Sequence, residues 1–295
     1  MNATWMDTTR LFGQAGRVQE DRALATRPGL SFVETSGGKV RVRRDRCPGG
    51  PRLLFATDGP NVIEHYDELL GELAGRADVV VFEPPGTGAS APARGFDFTL
   101  EALTRACGEV LEEFQPRTLV FPCYLGFVAQ ALARQRPQLA PRVILPQTPS
   151  WRDLGQWSEG VDPRRIVRTP VVGQVLMTLS RRRVAQGWYA ASTGDKRFRA
   201  PFNAAAGAAF DVGGCFCLAS LMQGLARGPA PGRGPLPVPA AVVWGPNDRT
   251  HRRTDPAASL QGAEVVRFEG CGHSPDLEAP KRFAEWLLAW HGEDT

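Results

Sequence analysis

Six short apolar runs constrain what this chain can fold into more than any other feature. They are Leu53–Ala56, Asp78–Phe82, Thr118–Phe121, Arg142–Leu145, Ala240–Trp244 and Glu264–Phe268. A run of apolar residues without polar alternation reads as a strand buried on both faces. Patterns of helical period lie between several of them. In Leu100–Phe114, the residues Leu100, Leu103, Cys107 and Leu111 share one face. Further helices are predicted through Glu68–Leu73, Val128–Arg136 and Lys281–Trp290. Strands alternating with helices predict an α/β fold, a mostly parallel sheet with helices on both faces. Ahead of it, Ser31–Thr35 and Lys39–Arg43 alternate around Ser36-Gly37-Gly38, a hairpin signal.

The rhythm breaks between about Ser150 and Leu236. Apolar residues there recur at helical spacing, as in Val171, Val172, Val175 and Leu176, then Phe216, Leu218, Leu221 and Met222. A Pro/Gly-rich stretch, Gly228–Pro235, closes the segment. The organisation expected is an arm over residues 1–28, a core over 29–149 and 237–295, and a helical cap with its return linker over 150–236.

Composition narrows the function classes. At 295 residues and 42% hydrophobic the chain is long enough for a full core. All but three of its 35 basic residues are arginine and the formal charge is only +4, so no nucleic-acid partner is expected. The clusters Arg41–Arg44 and Arg181–Arg183 read as solvated faces. No apolar run approaches a membrane span and no membrane partner is expected. The first residues lack a signal-like apolar core, and the six cysteines are irregularly spaced, so a reducing cytoplasm is the expected compartment. The oligomeric state is not encoded in any pattern.

Four segments then carry chemistry. Asp58-Gly59-Pro60 follows one strand, and Glu83–Ser90 follows the next. Gly245-Pro246-Asn247-Asp248 and Gly270-Cys271-Gly272-His273-Ser274-Pro275 follow the last two. Loops after parallel strands meet at one sheet edge, where α/β ligands bind. An acid and a histidine brought together there can form a proton-transfer pair, the acid fixing the ring tautomer. Taken singly, Asp248 also reads as a turn residue and His273 as a loop histidine.

In that order, with the strand–turn–helix segment Leu119–Gln130, these motifs resemble the α/β-hydrolase family from about Leu30 to Trp290. The resemblance implies a nucleophile on the turn after Phe121, an acid at Asp248 and a histidine base at His273. Backbone N–H groups of Tyr124 and of Gly59 or Asn61 would then form an oxyanion site. Two departures stand out. The family's Gly-x-Ser-x-Gly is replaced by Phe121-Pro122-Cys123-Tyr124-Leu125, and Asp58 stands where the family has histidine. Aligning the following helix puts Cys123 at the apex; shifting by one residue puts Tyr124 there and restores Gly126. A thiol at a helix N-terminus and beside His273 is expected to have a lowered pKa. A buried, inert cysteine is the alternative.

His65 and Tyr66 read as a partly exposed pair opening a helix. Cys215-Phe216-Cys217 reads as part of an apolar cap helix and, even with Cys271 and His273, lacks zinc-ligand spacing, so no metal is expected. No phosphate or dinucleotide fingerprint appears, and no cofactor is expected. Trp151, Trp157, Trp188 and Tyr189 are candidates for lining a pocket or for packing the cap on the core. The expected partner is a small, largely apolar ester, thioester or lactone, hydrolysed or cyclised through Cys123, His273 and Asp248, in specialised biosynthesis by analogy. The alternatives are a nucleophile-independent cyclase, lyase or isomerase using His273 as acid/base, and a non-catalytic ligand-binding pseudo-hydrolase.

Overall fold

The computed structural model describes residues 3–8 and 17–292. Its strands are β1 (Leu30–Thr35), β2 (Gly38–Asp45), β3 (Arg52–Ala56), β4 (Asp78–Phe82), β5 (Thr87–Gly88), β6 (Thr118–Val120), β7 (Val143–Pro146), β8 (Cys215–Phe216), β9 (Ala240–Trp244) and β10 (Glu264–Arg267). Eight of them form one sheet in the order β1-β2-β4-β3-β6-β7-β9-β10. The hairpin β1/β2 and the β2/β4 pair are antiparallel; from β4 onward every pairing is parallel.

The helices are α1 (Glu20–Leu24), α2 (Asp67–Leu73), α3 (Leu100–Phe114), α4 (Leu125–Gln135), α5 (Trp151–Val161), α6 (Val172–Ser192), α7 (Arg199–Asp211), α8 (Leu218–Leu225), α9 (Pro275–Glu278) and α10 (Pro280–Gly292). Among the described residues no helix is long and apolar enough to cross a membrane. The expected arm falls partly outside the described residues; within them it contributes α1 and buries Ala3, Met6 and Ala23.

The apolar runs are continuous because alternate residues enter two different cores. Leu54, Ala56, Val80, Phe82, Leu119 and Val242 pack on one side with α3 and α4. Leu53, Phe55, Val79, Val81, Val120 and Val243 pack on the other against Phe283 and Leu287 of α10. A strand side chain points to each face in turn, so a sheet covered on both sides needs apolar residues at every position. Helix ends follow local chemistry. Thr99 accepts a hydrogen bond from the Ala102 N–H at 3.2 Å to start α3, and Ser150 does the same for Asp153 to start α5.

Three expectations need correcting here. Arg41 is not on a solvated face: its side chain is 2% exposed and bonded to Glu83 at 3.1 Å and Glu64 at 2.6 Å. Those partners lie far away in sequence, and only pairing makes so buried a charge tolerable. His65 and Tyr66 are likewise buried, with His65 Nε2 between the Phe202 carbonyl and the Tyr189 hydroxyl. Cys215 and Phe216 are not helical but form β8, which pairs with β5 and ties the inserted segment to the Glu83–Ser90 loop.

Candidate active site

Asp58, Cys123, Asp248 and His273 follow β3, β6, β9 and β10, and all four come together at the carboxyl edge of the sheet. The turn after β6 decides which residue is its apex. Cys123 has φ +52°, whereas Tyr124 is already helical at φ −63° and ψ −27°. A non-glycine residue in the left-handed region is strained and persists only where its surroundings fix it. Here the Cys123 N–H donates to the Pro146 carbonyl at 2.9 Å, and the Gly126 N–H donates back to the Cys123 carbonyl at 3.1 Å. Helix α4 therefore starts at Leu125, three residues before the sequence pattern placed it.

The bulk of Phe121 and Leu125 is absorbed by the core. Phe121 packs on Phe82 with ring centres 5.6 Å apart, and both Phe121 and Leu125 are fully buried. The residue that must be small is Gly126, where an added Cβ would lie 2.1 Å from Thr148 Oγ1.

His273 is held from both sides. Its Nδ1 is 2.7 Å from Asp248 Oδ2, and its Nε2 is 3.1 Å from Asp58 Oδ2. Burial works against a charged ring. Even so, the Asp248 charge, with hydrogen bonds from the ring to Asp248, Asp58 and Cys123, carries His273 well above the ordinary histidine pKa. The loop is anchored too. The His273 N–H donates to the Ser192 carbonyl at the end of α6 at 2.8 Å, and Glu278 accepts from the Gly272 N–H at 3.0 Å.

Asp248 has a full set of partners. Gln147 Nε2 donates to Oδ2 at 3.0 Å, and the N–H and hydroxyl of Thr250 donate to Oδ1 at 2.8 and 2.6 Å. Gln147 also accepts from the Gly245 N–H at 2.9 Å, which fixes the turn that presents Asp248. Burial alone would raise this carboxyl, but the charge and hydrogen bond of His273, with the hydrogen bond from Thr250, bring it below its ordinary value. Gln147 was invisible to sequence reasoning, because its role depends on a neighbouring strand.

The other flank is electrostatically different. Burial raises the pKa of Asp58, although His273 and Cys123 both offer it hydrogen bonds. Burial, and then the charge of Asp58, push the Cys123 thiol up to about 11 against the pull of His273. The expected lowering of this thiol is thus reversed, because the helix N-terminus and the imidazolium are outweighed by desolvation and a facing carboxylate. Tyr124 is kept neutral by the same burial. Its backbone N–H faces Cys123, while the Asn61 N–H is consumed by the Asp58 carbonyl at 2.9 Å. The Asn61 N–H expected as an oxyanion donor is thus already paired, whereas Gly59 lines the cavity.

The cavity above the site has a volume of about 1180 Å³ and lies between sheet edge and inserted helices. Asp58, Gly59, Cys123 and Tyr124 line it, together with Trp151, Trp157 and Trp188. Trp188 meets the His273 ring edge-on at 4.9 Å, and Trp151 meets Phe127 in the same way. Tyr189 does not line the cavity; it is buried against His65 and Phe202. His251, which the motifs did not single out, stacks on His273 with centres 5.5 Å apart. Two clusters, Asp58/Cys123/His273 and Asp248/His251/His273, bring possible metal-ligand atoms within 4.8 Å of one another. Both share His273, whose two ring nitrogens each lie within hydrogen-bonding distance of a carboxylate.

An eight-stranded, mostly parallel sheet with an acid and a histidine on its last carboxyl-edge loops is the architecture of the hydrolytic α/β enzymes. A family model described as the alpha/beta hydrolase family matches residues 47–286, and the chain belongs to that family. No curated protein sequence matches it. Among solved structures it resembles an epoxide hydrolase from an endophytic Streptomyces, with 18% identity, TM-score 0.68, and coverage of 90% of this chain and 96% of that one. A haloalkane dehalogenase loop variant from Bradyrhizobium elkanii gives 16% identity, TM-score 0.64 and coverage of 89% and 95%. An esterase from Exiguobacterium antarcticum gives 14% identity, TM-score 0.67 and coverage of 88% and 98%. At such identities the likeness concerns the fold alone.

Proposed function

We propose that this protein is an acyl-transfer enzyme acting on a small, largely apolar ester, thioester or lactone, with hydrolysis or cyclisation as the outcome. The observation that carries this reading is Cys123, set in the left-handed conformation between β6 and α4 and grouped with Asp58 and His273 within 4.8 Å. In the proposed reaction Cys123 Sγ attacks the carbonyl carbon, forming a C–S bond as the carbonyl π electrons move to oxygen. The thiol proton passes to the Asp58–His273 pair. Collapse of the intermediate breaks the bond to the leaving oxygen or sulfur, which takes that proton. Water, or a hydroxyl of the same acyl chain, then attacks the thioester carbonyl; a C–O bond replaces the C–S bond, and the proton of that O–H passes through the Asp58–His273 pair back to Cys123 Sγ. The N–H groups of Tyr124 and Gly59 are the donors assigned to the transient oxyanion, and Asp248 holds the ring tautomer.

A second reading is favoured by one specific observation. Asp58 already occupies His273 Nε2 at 3.1 Å, and the resting thiol is neutral. An Asp–His–Asp relay of this kind can exchange protons with a substrate without a covalent step, in a cyclisation, lyase or isomerase reaction. Replacement of Cys123 by Ala separates the two: the acyl-transfer reading expects turnover of p-nitrophenyl hexanoate to fall at least about a thousandfold. Retained turnover in that variant would leave only the acid/base relay.

A further inference from the structure

Three donor atoms of different chemistry meet at the sheet edge of the cavity. Cys123 Sγ, a ring nitrogen of His273 and a carboxylate oxygen of Asp58 lie within 4.8 Å of one another. The nitrogen facing Asp58 is Nε2, 3.1 Å from Oδ2, and the thiol is hydrogen-bonded to both neighbours. Asp58 and Cys123 line the cavity and are 3% and 7% exposed, so the cluster is reached from it.

Sulfur, nitrogen and oxygen together make a ligand set of Zn²⁺, which holds them at about 2.3, 2.0 and 2.0 Å. Around a tetrahedral ion such ligands stand about 3.3–3.6 Å apart. The Nε2–Oδ2 edge therefore has to open by roughly a few tenths of an ångström from its 3.1 Å. The far side of the ring is already arranged as in a metal-bound histidine. Asp248 Oδ2 lies 2.7 Å from Nδ1, and a carboxylate there keeps the proton on Nδ1 and turns Nε2 to the ion. Charge is conserved as well. His273 is held charged by Asp248, so the ion displaces the Nε2 proton and the thiol proton, two positive charges for two. The second cluster, Asp248/His251/His273, has no sulfur. It also draws on a carboxylate whose oxygens already accept from Gln147, Thr250 and His273.

We propose that Asp58, Cys123 and His273 form a binding site for a thiophilic divalent cation, with Zn²⁺ as the fitting ion. Three protein ligands leave one position of a tetrahedral ion for water. Mg²⁺ and Ca²⁺, which take oxygen ligands, do not suit the site. The site does not depend on Cys123 being the nucleophile. Where Cys123 is the nucleophile, the ion occupies the attacking sulfur, so metal binding and acylation exclude each other.

The test is equilibrium dialysis of the full chain against Zn²⁺ at pH 8. It is run on the parent protein and on Cys123→Ala, Asp58→Asn and His251→Phe, each checked for cooperative unfolding. His273→Ala is left out because both clusters share that ring. Loss of a ligand is expected to raise the Kd of the tightest ion about a hundredfold in the first two variants, with His251→Phe changed less than tenfold. A rise of tenfold or more in both ligand variants supports the site. A smaller rise in either, a tenfold rise in His251→Phe, or a parent protein not saturated by about 100 μM Zn²⁺ overturns it. If a ligand variant does not fold, the parent decides alone. There about 100 μM Zn²⁺ should slow iodoacetamide labelling of Cys123 at least tenfold, and about 1 mM Mg²⁺ should not. An unchanged labelling rate with Zn²⁺, or equal slowing by Mg²⁺, overturns the proposal. No turnover is involved, so failure here is distinct from failure of the acyl-transfer reading, which turnover by Cys123→Ala tests.

Discussion

The two flanks of the His273 ring are built on different principles. On the Nδ1 side Asp248 is saturated by Gln147 and Thr250 and lies below the ordinary carboxylate range. On the Nε2 side Asp58 is raised, and it faces a thiol pushed up to about 11. The first flank is a rigid device for orienting and charging an imidazole. The second gathers Asp58, Cys123 and the His273 ring within 4.8 Å of one another, with burial holding both the carboxyl and the thiol above their ordinary values. Under the proposed acyl transfer, the departure from serine chemistry falls on the Cys123 and Asp58 side, while Asp248 keeps its contact with His273 at 2.7 Å.

The harshest way to break this comparison is to remove the ring that both flanks share. His273→Ala is expected to lower ester turnover by at least about three orders of magnitude, measured as kcat/KM, under either catalytic reading. Turnover within tenfold of the parent would mean that neither flank serves catalysis.

His251 permits a sharper test through pH. Its folded pKa is about 4 against an ordinary 6.5, so the unfolded chain binds more protons between those values. Stability from this group is therefore present above about pH 6.5 and is lost as pH falls toward 4. Other buried groups titrate in the same window, including Glu83 and Glu278, both raised to about 7, so the comparison must be between variants. Relative to the parent protein, His251→Phe should gain about 2 kcal/mol in urea-unfolding free energy on going from pH 8 to pH 5. An unchanged difference would mean that His251 is not held neutral.

Smaller effects probe each flank separately. Asp58→Asn removes the charge facing the thiol, and iodoacetamide labelling of Cys123 at pH 8, followed by peptide mass mapping, should accelerate about tenfold. A slower rate would show that Asp58 activates the thiol rather than suppressing it. Gln147→Ala should cost about 1 kcal/mol in stability and lower kcat more than it changes KM, since it loosens the turn that presents Asp248. Loss of stability with kcat intact would reduce Gln147 to a packing role.

The same division appears in what the sequence reveals. Asp248 and His273 are legible because their glycine-rich loops sit beside recognisable strands, so a local pattern encodes a local shape. The sheet is legible for a similar reason, through runs such as Asp78–Phe82 that are apolar at every position. The apex is not, because Cys123 and Tyr124 compete under two alignments and only the φ of +52° at Cys123 separates them. Asp58 shows in the sequence only as a departure from the family's histidine, because its contact with His273 joins residues 215 positions apart. Arg41 was misread for the same reason, its charge being met by Glu64 and Glu83 from distant turns. His251 left no signal at all, since no spacing rule marks a histidine three residues after an acid as a cavity wall.

The most direct test of the central claim is intact-protein mass spectrometry within seconds of mixing the protein with p-nitrophenyl hexanoate, with peptide mapping of any adduct. Acyl transfer predicts a hexanoyl adduct on Cys123, a matching burst of p-nitrophenol, and neither in Cys123→Ala. Sustained turnover without an adduct, unchanged in Cys123→Ala, would contradict it and transfer the chemistry to the Asp58–His273–Asp248 relay.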